Sequence, residues 1–157
     1  MDLLIYAPAF HELTQPPAAA VPAALTAISL QGLLRDVTAR LEVFQHRAPW
    51  PQVADWVGVA GFAFFSDEDT GQPDVLARHL ANQGMHVFLT RGDRGAALFT
   101  PDGEREYPPL PAEPNDPTGA GDCFSTAFLV RFAEAGDVEV ATQFALAAGA
   151  LAVERAG

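Results

Sequence analysis

Asn115–Asp122 reads NDPTGAGD, and an apolar run at 123–132 follows it directly. This pattern is typical of a helix start, and a helix N-terminus leaves backbone N–H groups unpaired and partly positive. Glycine allows the backbone of such a turn to approach an anion closely. The stretch therefore predicts an anion pocket, with Asp122 in the first turn of the helix. A carboxylate there can accept a proton from an attacking hydroxyl while the N–H groups stabilise developing charge.

The same octapeptide resembles the D-T-x-G-A-G-D signature of the ribokinase-like (PfkB) carbohydrate kinases. The matching residues, with Pro117 between the first two, are Asp116, Thr118, Gly119, Ala120, Gly121 and Asp122. The resemblance implies ATP-dependent phosphoryl transfer to an alcohol, with Asp122 as the base and Gly119–Gly121 as the anion hole. Asp116 and Thr118 would lie beside the nucleotide. The implied cofactors are ATP and Mg²⁺, and the resemblance leaves open whether a monovalent cation is a third. The alternative interpretation is a capped helix start with a tight turn.

A second candidate segment is Val87–Gly95, which reads VFLTRGDRG and has the form of a strand followed by a glycine turn. It resembles the family's v-v-v-T-x-G-x-x-G segment, in which the threonine and the first glycine approach the nucleotide phosphates. The resemblance therefore implies that Thr90 and Gly92 bind the nucleotide. The alternative is a hairpin turn without a ligand.

A third candidate segment, Phe65–Asp69, follows another predicted strand. Its position resembles the family's N-x-x-E element, which helps to place magnesium and phosphate through waters. Ser66 stands where asparagine is usual and Asp69 where glutamate is usual, so the resemblance implies these two residues as the metal element. Magnesium favours carboxylate and water ligands. The alternative is a helix N-cap at Ser66 with acidic residues in the first turn, and the two interpretations are compatible.

Two further stretches resemble the family. Ser29–Arg35 resembles P-Q-G-x-L-R, and Ala7–Leu13 resembles a-P-v-x-x-E. Together they point to a subgroup that phosphorylates small polyols or nucleosides, so the expected partner is a small-molecule sugar, polyol or nucleoside. Arg35 is a candidate contact for an anion or substrate, and a surface ion pair is the alternative.

Composition narrows the class of protein. The chain has 157 residues, of which 49% are hydrophobic and 18% charged, which favours a single folded domain over disorder. The net charge is −11, and all nine cationic side chains are arginine. Without lysine the chain cannot hold a P-loop of the G-x-x-x-x-G-K-[ST] type. The acidic balance also disfavours nucleic-acid binding, which needs a basic patch.

The sequence favours a cytoplasmic protein without a membrane partner. No apolar run reaches the length that spans a bilayer, and no signal-peptide pattern follows Met1. The one cysteine, Cys123, excludes an internal disulfide, which fits a reducing compartment. We expect Cys123 to be packed in the core, since small buried cysteines are common.

Predicted strands and helices alternate along the chain, which favours a mainly parallel sheet covered by helices. The predicted strands are Leu3–Tyr6, Leu25–Leu30, Leu41–Phe44, the apolar run Val57–Phe65, Val87–Thr90 and Ala96–Phe99. The predicted helices are Asp74–Gln83, one from about residue 123, and Val138–Val153, with a proline-rich connector at 108–117. Their expected core faces are Val75, Leu76, His79 and Leu80; Phe124, Phe128 and Phe132; and Phe144, Ala148 and Leu151.

The resemblance covers nearly the whole chain but only the second half of the family's fold. It implies one α/β domain at 1–157, the C-terminal part of a ribokinase-like three-layer fold with a mainly parallel sheet, without the N-terminal half and lid. Strands Leu3–Tyr6 and Leu25–Leu30 are apolar on both faces, so we expect uncovered surface and a homo-oligomer. The alternative function is a non-catalytic remnant that keeps the nucleotide fold or serves as an interaction protein. A dinucleotide-binding oxidoreductase is disfavoured because no G-x-G-x-x-G follows the first strand.

Overall fold

The computed structural model describes residues 2–10, 12–19, 21–37, 42–45 and 48–155. The strands, in chain order, are β1 (Leu3–Tyr6), β2 (Leu25–Ser29), β3 (Arg35–Val37), β4 (Val43–Gln45), β5 (Phe62–Ser66), β6 (His86–Thr90), β7 (Ala96–Thr100) and β8 (Gly103–Tyr107). The helices are α1 (Gln31–Leu34), α2 (Pro51–Ala54), α3 (Pro73–Ala81), α4 (Ala120–Ala135) and α5 (Val138–Val153). His11 and Leu41, which fall in two of the predicted segments, lie outside the described residues.

A mainly parallel sheet organises the molecule, as the sequence predicted. Within the described residues it has six strands in the order β1-β2-β5-β6-β7-β8. The first four are mutually parallel, whereas β7 pairs antiparallel with β6 and β8 antiparallel with β7. Strands β3 and β4 form a separate antiparallel hairpin. Parallel strands need crossover connections, and α3 supplies one between β5 and β6.

The central strands β5, β6 and β7 are buried on both faces, which explains their nearly continuous apolar sequences. In β5, Ala63 and Phe65 join the core that includes residues of α1, α2 and α3. Phe62 and Phe64 point the other way and join the core that includes residues of α4 and α5. The result is the three-layer α/β arrangement that the resemblance implied.

Helix α4 buries the phenylalanine stripe that the sequence predicted as core. Phe124 and Phe128 are buried and Phe132 is partly buried. The Phe128 ring lies 4.5 Å from the Phe88 ring, measured between centroids. The helix ends at Gly136, whose φ of 64° is the left-handed conformation that commonly closes helices. Asp137 then caps α5, accepting hydrogen bonds from the N–H groups of the first turn.

Three side-chain predictions were wrong. Helix α3 turns Leu76, Ala77, Leu80 and Ala81 inward, while Val75 is 56% exposed and His79 also faces solvent. The small alanines let the helix lie close to the sheet, so the buried stripe is shifted by one residue.

In α5, Phe144 and Leu151 are exposed by 52% and 60%, because the buried stripe is Ala141, Thr142, Ala145 and Leu146. Cys123 is exposed, since Phe124 takes the inward position in that turn.

Among the residues that the structure describes, we find no helix that combines the length and the apolar character needed to cross a membrane.

Candidate active site

Two of the predicted site segments meet at the carboxyl ends of neighbouring parallel strands. Ser66 ends β5 and Thr90 ends β6, and the two residues are partners in the parallel register. The Asp67 N–H donates to the Thr90 carbonyl at 3.0 Å, and the Thr90 hydroxyl donates to the Phe65 carbonyl at 3.4 Å. The edge formed by the carboxyl ends of parallel strands is where open α/β sheets bind ligands.

The turn after β6 is a short 3₁₀ segment, Gly92–Arg94, that also connects the β6–β7 hairpin. It is closed by a hydrogen bond of 2.8 Å from the Arg91 N–H to the Gly95 carbonyl. Gly92 and Gly95 have φ angles of 56° and 87°, which favour glycine. At Gly95 a Cβ atom would lie 2.1 Å from the Tyr107 carbonyl oxygen. The turn is therefore a hairpin connection with the Gly92 backbone exposed at the strand end, a geometry that both interpretations allow.

Among the side chains that the structure describes, none caps the N-terminus of α4. Its N-cap residue Gly119 has a φ of 80° and a ψ of −1°. The Thr118 N–H donates to Asp116 Oδ1 at 2.9 Å, and the Ala120 N–H donates to the Pro117 carbonyl at 3.2 Å. No acceptor within the described residues receives the N–H groups of Gly119, Gly121 or Asp122. These open donors are what an anion site at a helix N-terminus requires.

This helix terminus points to the same edge as the two strand ends. Phe124, in the first turns of α4, packs on Phe88 and Phe64 at ring distances of 5.6 and 6.3 Å. Those two residues lie two positions before the ends of β6 and β5. At the other end of the helix, Phe132 packs on Phe62, the first residue of β5, at 5.4 Å. Helix α4 therefore runs antiparallel to the strands, with its N-terminus on the carboxyl side of the sheet.

The segment before α4 is anchored to the end of α5. The N–H groups of Asn115 and Asp116 donate to the Val153 carbonyl at 2.7 and 3.0 Å. Asp122, in the first turn of α4, is exposed to solvent. The arrangement places an accessible carboxylate next to a set of open N–H donors.

Residues 66–70, which we call the β5 loop, are organised by a buried carboxylate. The side chain of Asp69 is 4% exposed and lies near Arg35, whose Nη2 is 2.5 Å from Asp69 Oδ1. Asp69 Oδ2 accepts a hydrogen bond of 2.8 Å from the Ser66 N–H. Burial raises the pKa of Asp69 above its usual value, while the Ser66 N–H and the Arg35 guanidinium reduce the rise. Arg35 thus forms an ion pair, as its alternative interpretation held, but with a buried carboxylate.

Ser66 caps a turn here. Its hydroxyl accepts a hydrogen bond of 3.2 Å from the Glu68 N–H, yet the residues that follow form a turn without a helix. A second ion pair links Asp67 to Arg94 of the turn after β6. Sequence reasoning missed this link, because its partners are 27 positions apart and nothing local signals the pairing.

The residues at this edge fit a hydrated metal ion and do not fit a cage made of protein ligands. Within the described part of the chain no three His, Cys, Asp or Glu side chains come together. Both oxygens of the buried Asp69 carboxylate are engaged, Oδ1 by Arg35 Nη2 at 2.5 Å and Oδ2 by the Ser66 N–H, so an ion at this edge would be held mainly through waters. Mg²⁺ usually keeps several waters and is held by one or two carboxylates together with substrate phosphates.

Comparisons with known proteins agree with this geometry. Residues 54–157 match the family described as pfkB family carbohydrate kinase. Ribokinase of Bacillus subtilis (strain 168) is 40% identical over 79 residues, which are 50% of this chain and 27% of that protein. The ATP-dependent ribose-1-phosphate kinase of Halopiger xanaduensis is 38% identical over 71 residues, 45% of this chain and 24% of that protein.

The crystal structure of ribokinase from Thermotoga maritima has a similar fold, with a TM-score of 0.70 and 20% identity. The likeness covers 99% of this chain and 51% of that one, so the chain spans about half of that fold. The chain belongs to the pfkB family of carbohydrate kinases.

Proposed function

We propose that this chain forms the nucleotide-binding and catalytic part of an ATP-dependent kinase that phosphorylates an alcohol group of a sugar, a polyol or a nucleoside. One observation carries the proposal: the N-terminus of α4 faces the carboxyl edge of the sheet, and its N–H groups at Gly119, Gly121 and Asp122 have no acceptor among the described residues. Family membership supports it, as do the kinase relatives, one of which is named as ATP-dependent.

Asp122 is the proposed general base. Its exposed carboxylate can accept the proton of an acceptor hydroxyl, and it stands in the first turn of α4 beside the open donors. Gly119, Ala120 and Gly121 are the proposed anion hole. The N–H groups of Gly119 and Gly121 are available in full, whereas the Ala120 N–H is shared with the Pro117 carbonyl. Donors fixed in advance stabilise charge without reorganisation.

Thr90, Gly92, Asp116 and Thr118 are the proposed nucleotide contacts. Thr90 and Gly92 present a hydroxyl and an exposed glycine backbone at the end of β6. Asp116 acts indirectly, because its carboxylate holds the Thr118 N–H and so shapes the turn before α4. Bound ATP would supply the phosphoryl group, with Mg²⁺ neutralising its charge. Asp69 and Ser66 would orient a water at that ion, and a monovalent cation is a further candidate at the same edge.

A second candidate function is nucleotide binding without catalysis. The observation that favours it is coverage: the chain spans about half of the similar ribokinase fold. The resemblance assigns the residues that hold the sugar to the other half. Both candidate functions use the same nucleotide site, but only the first includes phosphorylation of an acceptor. Both fit a cytoplasmic location, where ATP is abundant and a lone thiol stays reduced.

Isothermal titration of the chain with Mg-ADP tests the nucleotide site. We expect binding by the wild-type chain and a loss of at least about tenfold in Gly119→Val, because a β-branched residue strains the left-handed backbone at the N-cap. Gly58→Val is the matched control, since Gly58 has a similar φ of 82° and lies between α2 and β5. No binding at millimolar Mg-ADP, or equal losses in both variants, would contradict the proposal.

A further inference from the structure

The β5 loop is held from two sides by arginines of distant segments. Arg35, the first residue of β3, pairs with Asp69, and Arg94, in the turn after β6, pairs with Asp67. The Arg94 pair is open to solvent, since the Arg94 side chain is 67% exposed, whereas Asp69 is almost fully enclosed. Exposed ion pairs contribute little, so the Arg35–Asp69 pair dominates the placement of the loop.

The backbone that presents Arg35 is fixed. Just before it, the Leu30 N–H donates to the Phe64 carbonyl at 2.9 Å, and the Gly32 N–H donates to the Pro8 carbonyl at 3.1 Å. The chain is so close at Gly32 that a Cβ would lie 2.3 Å from the Pro8 oxygen. Gln52 Nε2 adds a hydrogen bond of 2.8 Å to the Leu33 carbonyl. The guanidinium group therefore extends from a rigid base.

Asp69 depends on this guanidinium. Its Oδ2 accepts a hydrogen bond from the Ser66 N–H, and its Oδ1 lies 2.5 Å from Arg35 Nη2, whose hydrogen bond and charge both favour the ionised carboxylate. A buried carboxylate that loses its cation is left uncompensated and reorients or draws in water. The direction of the Asp69 carboxylate, and with it the β5 loop at the end of β5, is thus set by Arg35.

We propose that Arg35 is a positioning residue for the kinase reaction: through the buried Asp69 carboxylate it holds the β5 loop in the conformation that faces the hydrated magnesium ion of the bound nucleotide. This inference rests on the proposed function. Within the described residues the carboxylate that pairs with Arg35 is Asp69, so we expect Arg35 to act through Asp69. Its removal should therefore weaken the magnesium-dependent part of nucleotide affinity and leave the remainder intact.

The quantity to measure is the magnesium gain, defined as the ratio of ADP association constants with and without Mg²⁺ from isothermal titration. We expect Arg35→Met to reduce the gain about tenfold, the usual size for losing a group that orients a metal ligand. ADP affinity without Mg²⁺ should change less than about twofold. Arg35→Lys should keep part of the gain, because it keeps the charge but not the planar guanidinium group.

Arg78→Met is the matched control. Arg78 forms an ion pair with Glu104 of β8. Glu104 is the register partner of Phe99 in β7, and Phe99 is the register partner of Val87, near the start of β6. The control therefore removes an ion pair at the opposite edge of the sheet. It should lower the melting temperature slightly without changing the magnesium gain, which separates positioning from a general loss of stability.

Comparing the double variant Arg35→Met/Asp69→Asn with Asp69→Asn tests whether Arg35 acts through Asp69. The comparison can be made even if Arg35→Met alone does not fold. Asp69→Asn removes the buried charge, so Arg35→Met/Asp69→Asn should fold. If Arg35 acts through Asp69, the double variant and Asp69→Asn have the same magnesium gain. A further loss in the double variant, or an unchanged gain in a folded Arg35→Met, would overturn the inference while leaving the nucleotide site in place. Absence of ADP binding by the wild-type chain would overturn the proposed function itself, and this inference with it.

Discussion

Ser66 and Thr90 stand opposite each other as the last residues of two parallel strands. This register brings together two sequence segments that are 24 positions apart in the chain, and it directs both following turns to one edge of the sheet. Helix α4 runs antiparallel to the same strands and points its open N-terminus to that edge. The candidate site is therefore a consequence of strand register and helix direction, and the following predictions test its parts.

Asp122→Asn should lower turnover by about 10²–10⁴-fold, the usual range for losing a general base. The measurement uses a polypeptide that carries the whole kinase fold, where the acceptor is bound. Mg-ATP affinity should stay nearly unchanged, because the substitution leaves the backbone N–H groups of Gly119 and Gly121 in place. Wild-type turnover in the variant would remove Asp122 from the mechanism.

Gly95→Ala should destabilise the fold by about 2–4 kcal/mol, through left-handed strain and steric overlap. A Cβ there would lie 2.1 Å from the Tyr107 oxygen. Gly84→Ala is the control, because Gly84 has a φ of 97° but open space around a Cβ. It should lose only about 1–2 kcal/mol. Urea unfolding measures both, and equal losses would show that the close approach of the chains at Gly95 is not as described.

Phe128→Ala should cost about 3–5 kcal/mol in unfolding free energy, the range for truncating a buried aromatic residue. Phe128 is fully buried and packs on Phe62, Phe64 and Phe88. Phe144→Ala, in which the truncated side chain is 52% exposed, should change stability by no more than about 0.5 kcal/mol. Comparable losses in the two variants would place Phe144 in the core after all.

The Glu139 carboxylate should give stability a small acid-sensitive component. Its pKa is lowered, chiefly by a hydrogen bond from Arg105, whose Nη1 lies 2.6 Å from Glu139 Oε2. A carboxylate with a lowered folded-state pKa contributes stability that is present above its unfolded pKa and is lost as pH falls through the folded value. Arg105→Gln should therefore lower the melting temperature at pH 6 and have less effect near pH 3. A constant difference across that range would contradict the assignment.

The outer edge of β1 should promote self-association. Within the described residues β1 pairs only with β2, so its other edge presents free backbone groups beside Leu3, which is 37% exposed. Edge strands of this kind pair with other chains unless a charge blocks them. We expect sedimentation to show a dimer or larger species, and Leu3→Lys to shift it towards monomer. A wild-type monomer at all concentrations would contradict this expectation.

Local patterns in the sequence predicted much of the fold. Strands β1, β2, β5 and β6 and helix α4 were predicted because short apolar runs bounded by turn residues and glycine-rich helix starts have distinct local signatures. The inward faces of α3 and α5 were misjudged. Alanines form half of each buried face, and alanine carries too little hydrophobicity to mark a stripe against Val75 or Phe144.

The motifs of the candidate site could be predicted from the sequence, whereas the ion pairs that connect its segments could not. NDPTGAGD and the glycine turn at Gly92 are local features, and both lie on the carboxyl side of the parallel strands. The pairs Arg35–Asp69 and Arg94–Asp67 join residues far apart in sequence. Their formation depends on the path of β3 and on the hairpin after β6, which no local pattern specifies.

The most direct test of the nucleotide site is an amide chemical-shift titration of the ¹⁵N-labelled chain with Mg-ADP. The account predicts that the N–H signals of Gly92, Gly119, Gly121 and Asp122 move together as one saturable event, while those of Glu104 and Arg105 at the far end of the hairpin stay in place. Saturable shifts confined to other residues, or no shifts at millimolar Mg-ADP, would contradict the claim that the N-terminus of α4 and the turn after β6 form one nucleotide site.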